Sequence, residues 1–496
     1  MHHGRLLGIG FLVCGILLVL NAAPAMAVNF DFHGDMDHRF LLGTNHNDWI
    51  HDGGGQTGRL DDDDVYDNFG EIKYRFWFEA ASDDGDYKGV FATEVGGLRF
   101  GEDDKMDYSG DEVQMEVRWG YFDFQLPFVE QESRMRMGLQ PININPFLWK
   151  ETIGGVTLQG AAGVFDYQLG WLRGYEANVA SNDDEDLFDD QDSIYARLDY
   201  KGVDNFNVGL FGLFQWQDTD DPDDDQWDEF GDELNYGLTP TSYEFKNFGS
   251  EGVSADISLA TFGLDGSMSF NPFFINWDAM YQTGSIDRLQ YASLNDLNDM
   301  RFRDVEFDDL DLDTKDYDVS AYFAHLDLGM NWNKHTFTYT FWYTSGDDDP
   351  DDDDFDAFMA TDIDRKDSIV LMEGGYASDN YFTERHYILD RGFIMNKLAW
   401  DFQVNEKLQV GLAGMYMMTS EDVEYETALT GEKASDDELG VEADAYIKYQ
   451  LFENVELAWN AGYLAAGDAM DYFEREQDGD SDEDIWRSDM RIRYTF

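Results

Sequence analysis

Apolar and polar residues alternate along most of this chain in segments of about ten residues, the length of a strand that crosses a membrane. In the C-terminal segment the apolar positions are Trp486, Met490, Ile492, Tyr494 and Phe496, and the polar positions between them are Arg487, Asp489, Arg491 and Arg493. A period of two is typical of a β-strand with one apolar and one polar face. The pattern recurs in the ranges 71–80, 132–140, 193–201, 334–344, 440–450 and 454–464. With the less regular ranges 29–41 and 154–160, the chain predicts about eighteen strands, or about sixteen as the alternative.

The connections between these strands alternate in length. Short connections lie near 81–86, 127–131, 161–163, 202–205, 265–271, 331–333, 404–407 and 451–453. Long connections lie near 42–70, 100–112, 141–153, 174–192, 217–252, 283–317, 345–392, 420–439 and 465–484. A barrel with short periplasmic turns and long extracellular loops produces this alternation. The sequence therefore predicts an all-β fold, a transmembrane antiparallel up-and-down β-barrel.

The N-terminal residues differ from the rest of the chain. Arg5 precedes an apolar run that ends at Leu20, and small residues ending at Ala27 complete the pattern of a cleaved secretory signal peptide. We therefore expect a signal peptide at 1–27 and a barrel at 28–496. Cys14 is the one cysteine and lies within the expected signal peptide, so no disulfide is expected in the barrel.

Composition supports a membrane barrel and excludes one class of partner. Aromatic residues make up 16% of a chain whose mean hydropathy is only −0.51, and aromatic girdles at both membrane interfaces account for such a content. After the signal peptide no apolar run reaches the length of about eighteen residues that a transmembrane helix needs. The formal net charge of −71 excludes nucleic acid as a partner, because binding to phosphate needs a basic surface.

The last strand resembles the assembly signal of outer-membrane barrels. It has a terminal aromatic residue with apolar residues at every second position before it. These residues are Met490, Ile492, Tyr494 and Phe496. The resemblance implies an outer membrane of a Gram-negative bacterium, with membrane lipid, lipopolysaccharide and the barrel-assembly machinery as partners. The oligomeric state stays open, with a homotrimer as one candidate.

Runs of aspartate lie in the long connections and predict an acidic crown on the outer surface. One interpretation is a solvated surface that divalent ions neutralise among lipopolysaccharide. The other is specific Ca²⁺ binding, for which carboxylate oxygens are suitable ligands. The candidate ligands are Asp347, Asp349, Asp352, Asp480, Asp482 and Asp484. The match to a known calcium loop is weak because no bidentate glutamate closes the 480–484 segment, and no cofactor is required by the sequence.

The scarce basic residues lie on the polar faces of the predicted strands. The pore-lining candidates are Lys73, Arg75, Arg118, Arg134, Arg136, Arg197, Arg487, Arg491 and Arg493. If the apolar faces contact lipid, these side chains line the interior. They could form ion pairs that brace the wall, or a basic constriction that attracts anions, because rings of arginine and lysine set anion preference in pores. Guanidinium groups also bind carboxylates in a bidentate way, which would suit sugar acids.

One segment resembles a loop motif of the alginate-export family of outer-membrane barrels. Its residues are Tyr343, Thr344, Ser345, Gly346, Asp347, Pro350, Asp352 and Phe358. The resemblance implies eighteen strands and an arginine-rich lumen that passes an anionic polysaccharide. The range 71–100 also resembles acidic porins of sulfate- and metal-reducing bacteria. The excess of aspartate around Pro350 departs from the usual loop of the export family.

These observations favour a passive porin for ions and small hydrophilic solutes. The ranges 217–252, 283–317 and 345–392 are each long enough to fold into the pore and narrow it. Export of an anionic polysaccharide is the first alternative, and a surface or partner platform organised by Ca²⁺ is the second. An enzyme is not expected, because the nine histidines show no nucleophile or metal spacing. We expect cations to concentrate at the acidic mouth and anions to be tolerated at the basic neck, which predicts weak overall selectivity.

Overall fold

The structure is a computed structural model of the chain. It describes residues 28–44, 66–101, 113, 115–175, 191–217, 256–291, 313–349, 352–363, 367–372, 391–426, 433–473 and 484–496. The predicted signal peptide at 1–27 lies outside the described residues. None of the described residues forms a helix that is long and apolar enough to span a membrane.

Eighteen strands of the described residues form one closed antiparallel barrel, because the first strand pairs with both the second and the last. In chain order the barrel strands are β1 (Val28–Thr44), β2 (Tyr66–Ser82), β3 (Tyr87–Arg99), β4 (Glu116–Gln125), β5 (Ser133–Pro141), β6 (Thr152–Ala162), β7 (Phe165–Tyr175), β8 (Gln191–Val203), β9 (Phe206–Gln217), β10 (Asp256–Phe270), β11 (Phe273–Tyr291), β12 (Asp313–Trp332), β13 (His335–Thr344), β15 (Phe393–Asn405), β16 (Leu408–Glu426), β17 (Lys433–Phe452), β18 (Val455–Ala466) and β19 (Ile485–Thr495). The two-residue β14 (Asp354–Phe355) pairs in parallel with β12, and Asp468–Phe473 form a 3-10 helix. The predicted fold class and the prediction of about eighteen strands are confirmed.

The C-terminal residue completes the seam between β1 and β19. The amide N–H groups of Gly34 and Phe496 each donate to the carbonyl oxygen of the other at 2.9 Å. A Cβ atom at position 34 would lie 2.2 Å from the Phe496 ring. Glycine at this position therefore lets the terminal aromatic ring lie across the seam.

Side chains alternate between the two faces of the wall, as a period of two requires. The outer face exposes a belt of large apolar side chains, among them Phe32, Phe91, Leu210, Phe262, Tyr322, Leu398 and Leu412. The inner face carries the charged side chains and also, in the half of the barrel away from the short turns, many apolar ones. The outer belt is the surface that contact with hydrocarbon needs.

The eight short turns all lie at one end of the barrel, close to where they were predicted. Several of the predicted long connections are partly strand, among them 42–70, where β1 continues to Thr44 and β2 begins at Tyr66. The prediction of a loop at 420–439 is wrong at both ends, because β16 continues to Glu426 and β17 begins at Lys433. β11 and β12 likewise extend into the predicted loop at 283–317. In the β16 extension the outward positions are polar, as at Asp422 and Glu424, so the apolar face that marks a strand in contact with lipid is missing there.

Candidate functional site: the barrel lumen

Two connections fold back into the barrel. The first, residues 142–151 between β5 and β6, is called the inner turn below. The second is the described part of the connection between β13 and β15, namely 345–349, 352–363 and 367–372, and is called the inner strap. The range 345–392 was predicted to be long enough to fold into the pore, whereas 141–153 was predicted only as a long loop. Of the ranges 217–252 and 283–317, the residues 218–252 and 292–312 lie outside the described residues.

Polar contacts hold the inner turn to strands β8, β10 and β11, farther around the barrel wall. The Asn145 side-chain amide donates to Asp265 at 3.1 Å and to Asp278 at 2.8 Å. The Arg197 guanidinium donates to the Ile144 carbonyl oxygen at 2.8 Å and to Asp265. The inner turn therefore spans from its own strands β5 and β6 to the wall formed by β8, β10 and β11.

An aromatic cluster fixes the tip of the inner turn. The Phe147 ring lies 5.1 Å from Phe323, 4.6 Å from His325 and 5.0 Å from Trp342, measured between ring centroids. Phe147 and Trp342 are almost completely buried. Ring pairs at such separations stabilise by about 0.5–1.5 kcal/mol beyond their buried area.

The inner strap begins with the segment that resembles the export-family motif. The Ser345 hydroxyl accepts from the Tyr322 amide at 2.8 Å and donates to the Asp356 carbonyl oxygen at 2.6 Å. The Phe358 amide donates to the Ser345 carbonyl oxygen at 3.1 Å. The motif thus forms the bend that turns the chain from β13 into the lumen, and Phe358 is fully buried there.

Glutamine side chains guide the strap along the inner wall. Gln282 on β11 accepts from the Met359 amide at 2.8 Å and donates to the Met359 carbonyl oxygen at 2.6 Å. The Thr361 hydroxyl donates to Gln215 on β9 at 3.0 Å. Both glutamines are fully buried. A segment inside a barrel has no neighbouring strand to pair with its peptide groups, and an unpaired buried peptide group is costly. The glutamine side chains supply hydrogen-bond partners in place of such a strand.

The strap and the inner turn are hydrogen-bonded to each other inside the barrel. The Thr361 amide donates to the Leu148 carbonyl oxygen, and the Lys150 amide donates to the Asp362 carbonyl oxygen, both at 2.9 Å. The two segments arise from β5 and β13, which lie almost opposite one another in the ring of strands. Their contact therefore divides the lumen.

The end of the strap, residues 367–372, is bound by one carboxylate. Glu442 on β17 accepts from the Ser368 hydroxyl at 2.6 Å, from the Val370 amide at 2.8 Å and from the Leu371 amide at 3.3 Å. Successive amides around one anion form a nest, an arrangement that favours negative charge. Glu442 is fully buried. We call residues 367–372 the latch.

A second set of charged side chains surrounds the latch. Asp444 on β17 accepts from the Ile369 amide at 3.4 Å and from the Tyr446 hydroxyl at 2.7 Å. The Arg487 guanidinium donates to the Ile369 carbonyl oxygen at 3.5 Å. Glu442, Asp444, Arg487 and Arg491 are at most 4% exposed, and together they are called the sealed wall below.

Among the predicted pore-lining residues, three gather around one carboxylate. Glu94 on β3 accepts ion pairs from Lys73 at 3.1 Å, from Arg118 at 2.8 Å and from Arg75. Glu151 lies 3.8 Å from Arg118. Among the ion pairs that the structure describes on this part of the wall, three bases pair with two carboxylates.

Two further candidates share a carboxylate nearer the short turns. Asp123 on β4 accepts from Arg134 at 2.6 Å and from Arg136 at 3.3 Å. Side chains here keep contact with water, since Arg118, Arg134 and Arg136 are 18–20% exposed. We call Lys73, Arg75, Arg118, Arg134 and Arg136 the basic wall.

The remaining predicted bases are paired one to one or cross-linked to other elements. Arg491 pairs with Asp37 across the seam, and Arg493 pairs with Asp35. Arg487 lies 3.8 Å from Asp489 on its own strand. Arg197 binds Asp199 and Asp265, so it fixes the inner turn. The structure thus brings five of the nine candidates together on the basic wall and places the other four in separate contacts.

The assembly-signal residues lie on the outer face. Met490, Tyr494 and Phe496 are exposed there, and Tyr494 and Phe496 stack with their ring centroids 5.1 Å apart. Ile492 belongs to the same face by its position in β19 and pairs with His38 of β1. Recognition by an assembly machinery stays a prediction.

The candidate calcium ligands fall into two groups. Asp347 is buried at the start of the strap, where burial raises its pKa to about 6. Its side chain accepts from the Asp356 amide at 3.4 Å. Asp349 and Asp352 lie in the same bend, whereas Asp480 and Asp482 lie outside the described residues and Asp484 precedes β19. Within the part of the chain that the structure describes, no three His, Cys, Asp or Glu side chains are arranged to hold a metal ion. Calcium binding stays a prediction.

The most important site residues that the sequence did not single out are neutral or acidic. Asn145, Gln215 and Gln282 position the two inner segments, and Glu442 holds the latch. A signal for the lumenal core was present, because the ranges 209–216 and 412–418 are apolar on both faces. A strand that is apolar on both faces indicates burial on both sides.

Comparison with known proteins supports the architecture. No family model and no curated protein matches the chain. The chain is similar to the solved structure of OccK8 (OprE) from Pseudomonas aeruginosa, with a TM-score of 0.50 and 11% identity over 94% of this chain and 98% of that chain. It is also similar to the outer membrane protein OpdK from the same organism, with a TM-score of 0.48 and 9% identity over 94% of this chain and 98% of that chain. At such identity the likeness to OccK8 shows the fold alone.

Proposed function

We propose that this protein is an outer-membrane porin, a passive diffusion channel for ions and small hydrophilic solutes. One observation carries the proposal. The closed barrel has an apolar belt outside and, inside, a charged wall that still contacts water beside the inner strap. An apolar exterior suits hydrocarbon, and a water-accessible charged interior suits passage of polar solutes.

An outer-membrane location follows from the same features. Closure of the sheet satisfies every strand edge in the membrane, which a lipid environment demands. The short turns and both described chain ends lie at one end of the barrel, which we assign to the periplasm.

We infer that the permeation route follows the basic wall. Its side chains keep access to water, whereas the strap and the latch cover the sealed wall. Five bases of the basic wall pair with Glu94, Asp123 and Glu151, so positive charge is in excess there. Excess positive charge along a pore favours anions. Anion preference at this neck is therefore part of the proposal.

The inner strap and the inner turn supply the constriction. They are joined by backbone hydrogen bonds, and buried side chains anchor each of them to the wall. A constriction built in this way is rigid, since its amides are paired with wall side chains rather than with water. The channel should therefore discriminate by solute size without a moving gate.

The two alternatives from the sequence are less well supported. Export of an anionic polysaccharide needs guanidinium groups that are available along the whole pore, yet Arg197, Arg487 and Arg491 are engaged with carboxylates or with the inner segments. A surface platform would not need a water-accessible charged wall. The local resemblances to alginate-export barrels and to porins of metal-reducing bacteria stay predictions.

A flux measurement tests the proposal. The refolded barrel is reconstituted into liposomes, and swelling is followed in isosmotic solutions of neutral, anionic and cationic solutes of graded size. We expect swelling that falls steeply with solute size and is faster for small anions than for cations of equal size. Absence of swelling for every solute, with a barrel that shows the heat-dependent gel mobility of folded protein, would rule out the porin function.

A further inference from the structure

The outer face of the barrel is not uniformly convex. A groove of about 740 Å³ crosses β11, β12, β13, β15 and β16. Its walls are apolar side chains that the outer surface exposes, including Phe273, Leu328, Phe337, Leu398 and Leu412. The volume lies in the range of roughly 300–1,000 Å³ in which proteins hold small ligands.

The groove exists because the wall has small residues at its edge. Gly414 of β16 pairs with Leu398 of β15 on one side and with Ala443 of β17 on the other. A Cβ atom at Gly414 would meet nothing within 4 Å. The backbone does not require glycine there, because no unusual φ angle accompanies it. Absence of a side chain at this position therefore leaves open space on the lipid-facing surface.

The groove lies in the half of the barrel near the short turns. Phe270 and Phe273, which flank the turn at 271–272, line one end. The lining residues of β12 and β13 lie within five residues of the turn at 333–334. In the proposed orientation this half faces the periplasmic leaflet of the membrane, which consists of phospholipid.

The lysines in the eight described short turns are clustered. Lys334 and Lys407 are the only two lysines or arginines in those turns, and both are exposed. Their turns are neighbours, because the Gln403 amide before Lys407 donates to the Lys334 carbonyl oxygen at 2.9 Å. The Lys334 ammonium donates to the Val404 carbonyl oxygen at 2.8 Å. Four of the other six turns carry acidic residues, and Glu406 precedes Lys407.

An aromatic ladder separates these lysines from the groove. The Trp400 indole N–H donates to His335 at 3.0 Å, and the Phe402 ring stacks on His335 with a centroid distance of 4.6 Å. Trp332 lies 5.9 Å from His335 on the same surface. Amphipathic rings of this kind lie at the level of lipid headgroups. Going from the short turns toward the middle of the membrane, the outer surface therefore presents the two lysines, then the aromatic rings, and then the apolar groove.

We propose that the groove binds one acyl chain of an anionic phospholipid from the periplasmic leaflet, with Lys334 and Lys407 contacting its phosphate. The proposal goes beyond solute transport but rests on the proposed membrane location. Charge complementarity selects this occupant, because the surrounding turns are acidic and the two lysines lie directly below the groove. Lys334 contributes more than Lys407, since Glu406 offsets the second charge.

The dimensions agree with one leaflet. Five adjacent strands cover about 19 Å across the sheet at about 4.8 Å per strand spacing. Because barrel strands tilt by roughly 45°, this path descends about 14 Å along the membrane normal. Half of a hydrocarbon core of about 30 Å is about 15 Å. An acyl chain that follows the groove therefore remains within its own leaflet.

Retention of defined lipids tests the proposal. The detergent-purified full-length barrel is mixed with palmitoyl-oleoyl phosphatidylglycerol or with the matching phosphatidylcholine, and bound lipid is counted by native mass spectrometry. Gly414→Phe fills the groove, and Gly120→Phe is its matched control, because Gly120 on β4 also faces open space. Lys334→Ala removes the main cation, and Lys433→Ala removes an exposed lysine from the other end of the barrel.

We expect the wild type to retain one phosphatidylglycerol and several-fold less phosphatidylcholine. Gly414→Phe should abolish retention, and Lys334→Ala should weaken it about fivefold, the change that corresponds to about 1 kcal/mol per basic residue near an anionic headgroup. Both control variants should behave as the wild type. Equal retention by Gly414→Phe and wild type, or equal retention of the two lipids, overturns the proposal.

A third result would also overturn it. If wild-type barrels associate and Gly414→Phe makes them monomeric, the groove is an interface between copies. Lipid counting does not depend on conductance, so a barrel that retains phosphatidylglycerol but passes no solute contradicts only the porin function. A conducting barrel that retains no lipid contradicts only the groove.

Discussion

The basic wall and the sealed wall use the same residue types for different ends. On the basic wall, Arg134 and Arg136 share Asp123 and keep contact with water. On the sealed wall, Glu442 is buried beneath the latch and binds backbone amides of a segment that entered from outside. The basic wall exposes charged side chains to the lumen, whereas the charged side chains of the sealed wall bind the latch and hold the constriction in place.

The difference shows that an arginine on the inner face of a barrel does not by itself line a pore. Arg487 and Arg134 both occupy inward positions of barrel strands. Arg487 is covered because the latch lies over it, whereas nothing in the described residues covers Arg134 to the same extent. The position of the inner strap thus decides which inward charges act on solutes.

The largest effect on single-channel current should come from removing the Glu442 carboxylate of the sealed wall. Glu442→Ala leaves the Ser368 hydroxyl and the Val370 amide without their acceptor, whereas the Leu371 amide keeps the Ser368 hydroxyl oxygen at 2.9 Å. Each unpaired buried group costs about 1–3 kcal/mol. The latch should leave the wall, so single-channel currents should become larger and noisier. Glu456→Ala is the control, because Glu456 pairs with Lys448 near the short turns and has no contact with the latch. Unchanged currents in Glu442→Ala would show that the latch does not restrict the pore.

The second-largest effect should come from a substitution at the tip of the inner turn, and it should be a loss of protection against protease. Phe147→Ala removes a ring packed among Phe323, His325 and Trp342, and such a truncation costs about 3–5 kcal/mol. Protease digestion of the folded barrel should then cut within 142–151, where the wild type resists. Phe91→Ala, on the outer face, should leave this region protected. Equal protection in Phe147→Ala would contradict the assignment of Phe147 as the anchor.

A smaller effect, a change in ion selectivity, should come from removing charges of the basic wall but not of the sealed wall. Replacing Arg134 and Arg136 by glutamine removes two charges from the water-accessible route. At about 8 Å in water a unit charge contributes about 0.5 kcal/mol, so anion preference should fall roughly twofold per charge. The zero-current potential under a salt gradient measures this change. Arg491→Gln, on the sealed wall, should leave the potential unchanged if the protein folds, and an equal shift in both variants would erase the distinction between the walls.

The smallest effect should be a pH dependence of how firmly the inner strap is docked. Burial raises the pKa of Asp347 to about 6, with Arg391 opposing the shift and Asp352 and Asp356 adding to it. The docked strap therefore binds more protons than the free strap between pH 3.8 and about pH 6, so docking weakens as pH rises through this window and is constant above it. Hydrogen exchange of 352–363 should be slower at pH 5 than at pH 8 after correction for intrinsic rates. Asp347→Asn should remove the difference, and persistence of it would assign the effect to another group.

The barrel was predictable because its signals are local and repeated. Alternation over each strand and alternation of short with long connections depend only on the two environments that face the wall. The prediction failed at 420–439, where β16 continues to Glu426 and β17 begins at Lys433, with Val423 and Leu439 buried on the inner side. The range 420–426 contains four carboxylates, Glu421, Asp422, Glu424 and Glu426, and such acidic composition is typical of an exposed loop rather than of a strand in contact with lipid.

The lumen was only partly predictable. The period of two predicts an inward orientation of the bases, and in the structure Arg118 and Arg136 pair with Glu94 and Asp123. Their partners could not be predicted, because Glu94 and Asp123 come from other strands. The apolar segment around Phe358 was predicted only as part of a long loop, since nothing in its sequence shows that Gln282 and Gln215 would pair with its backbone. Whether this segment enters the lumen depends on contacts between residues that are far apart in the sequence.

Single-channel recording in planar bilayers under a salt gradient tests the central claim most directly. The refolded barrel should give steady unitary conductance, and the zero-current potential should be small, with an anion preference that the Arg134→Gln and Arg136→Gln double variant lowers. Persistent silence of a barrel whose folding is confirmed by heat-dependent gel mobility would contradict the account. It would mean that the inner strap and inner turn close the lumen completely.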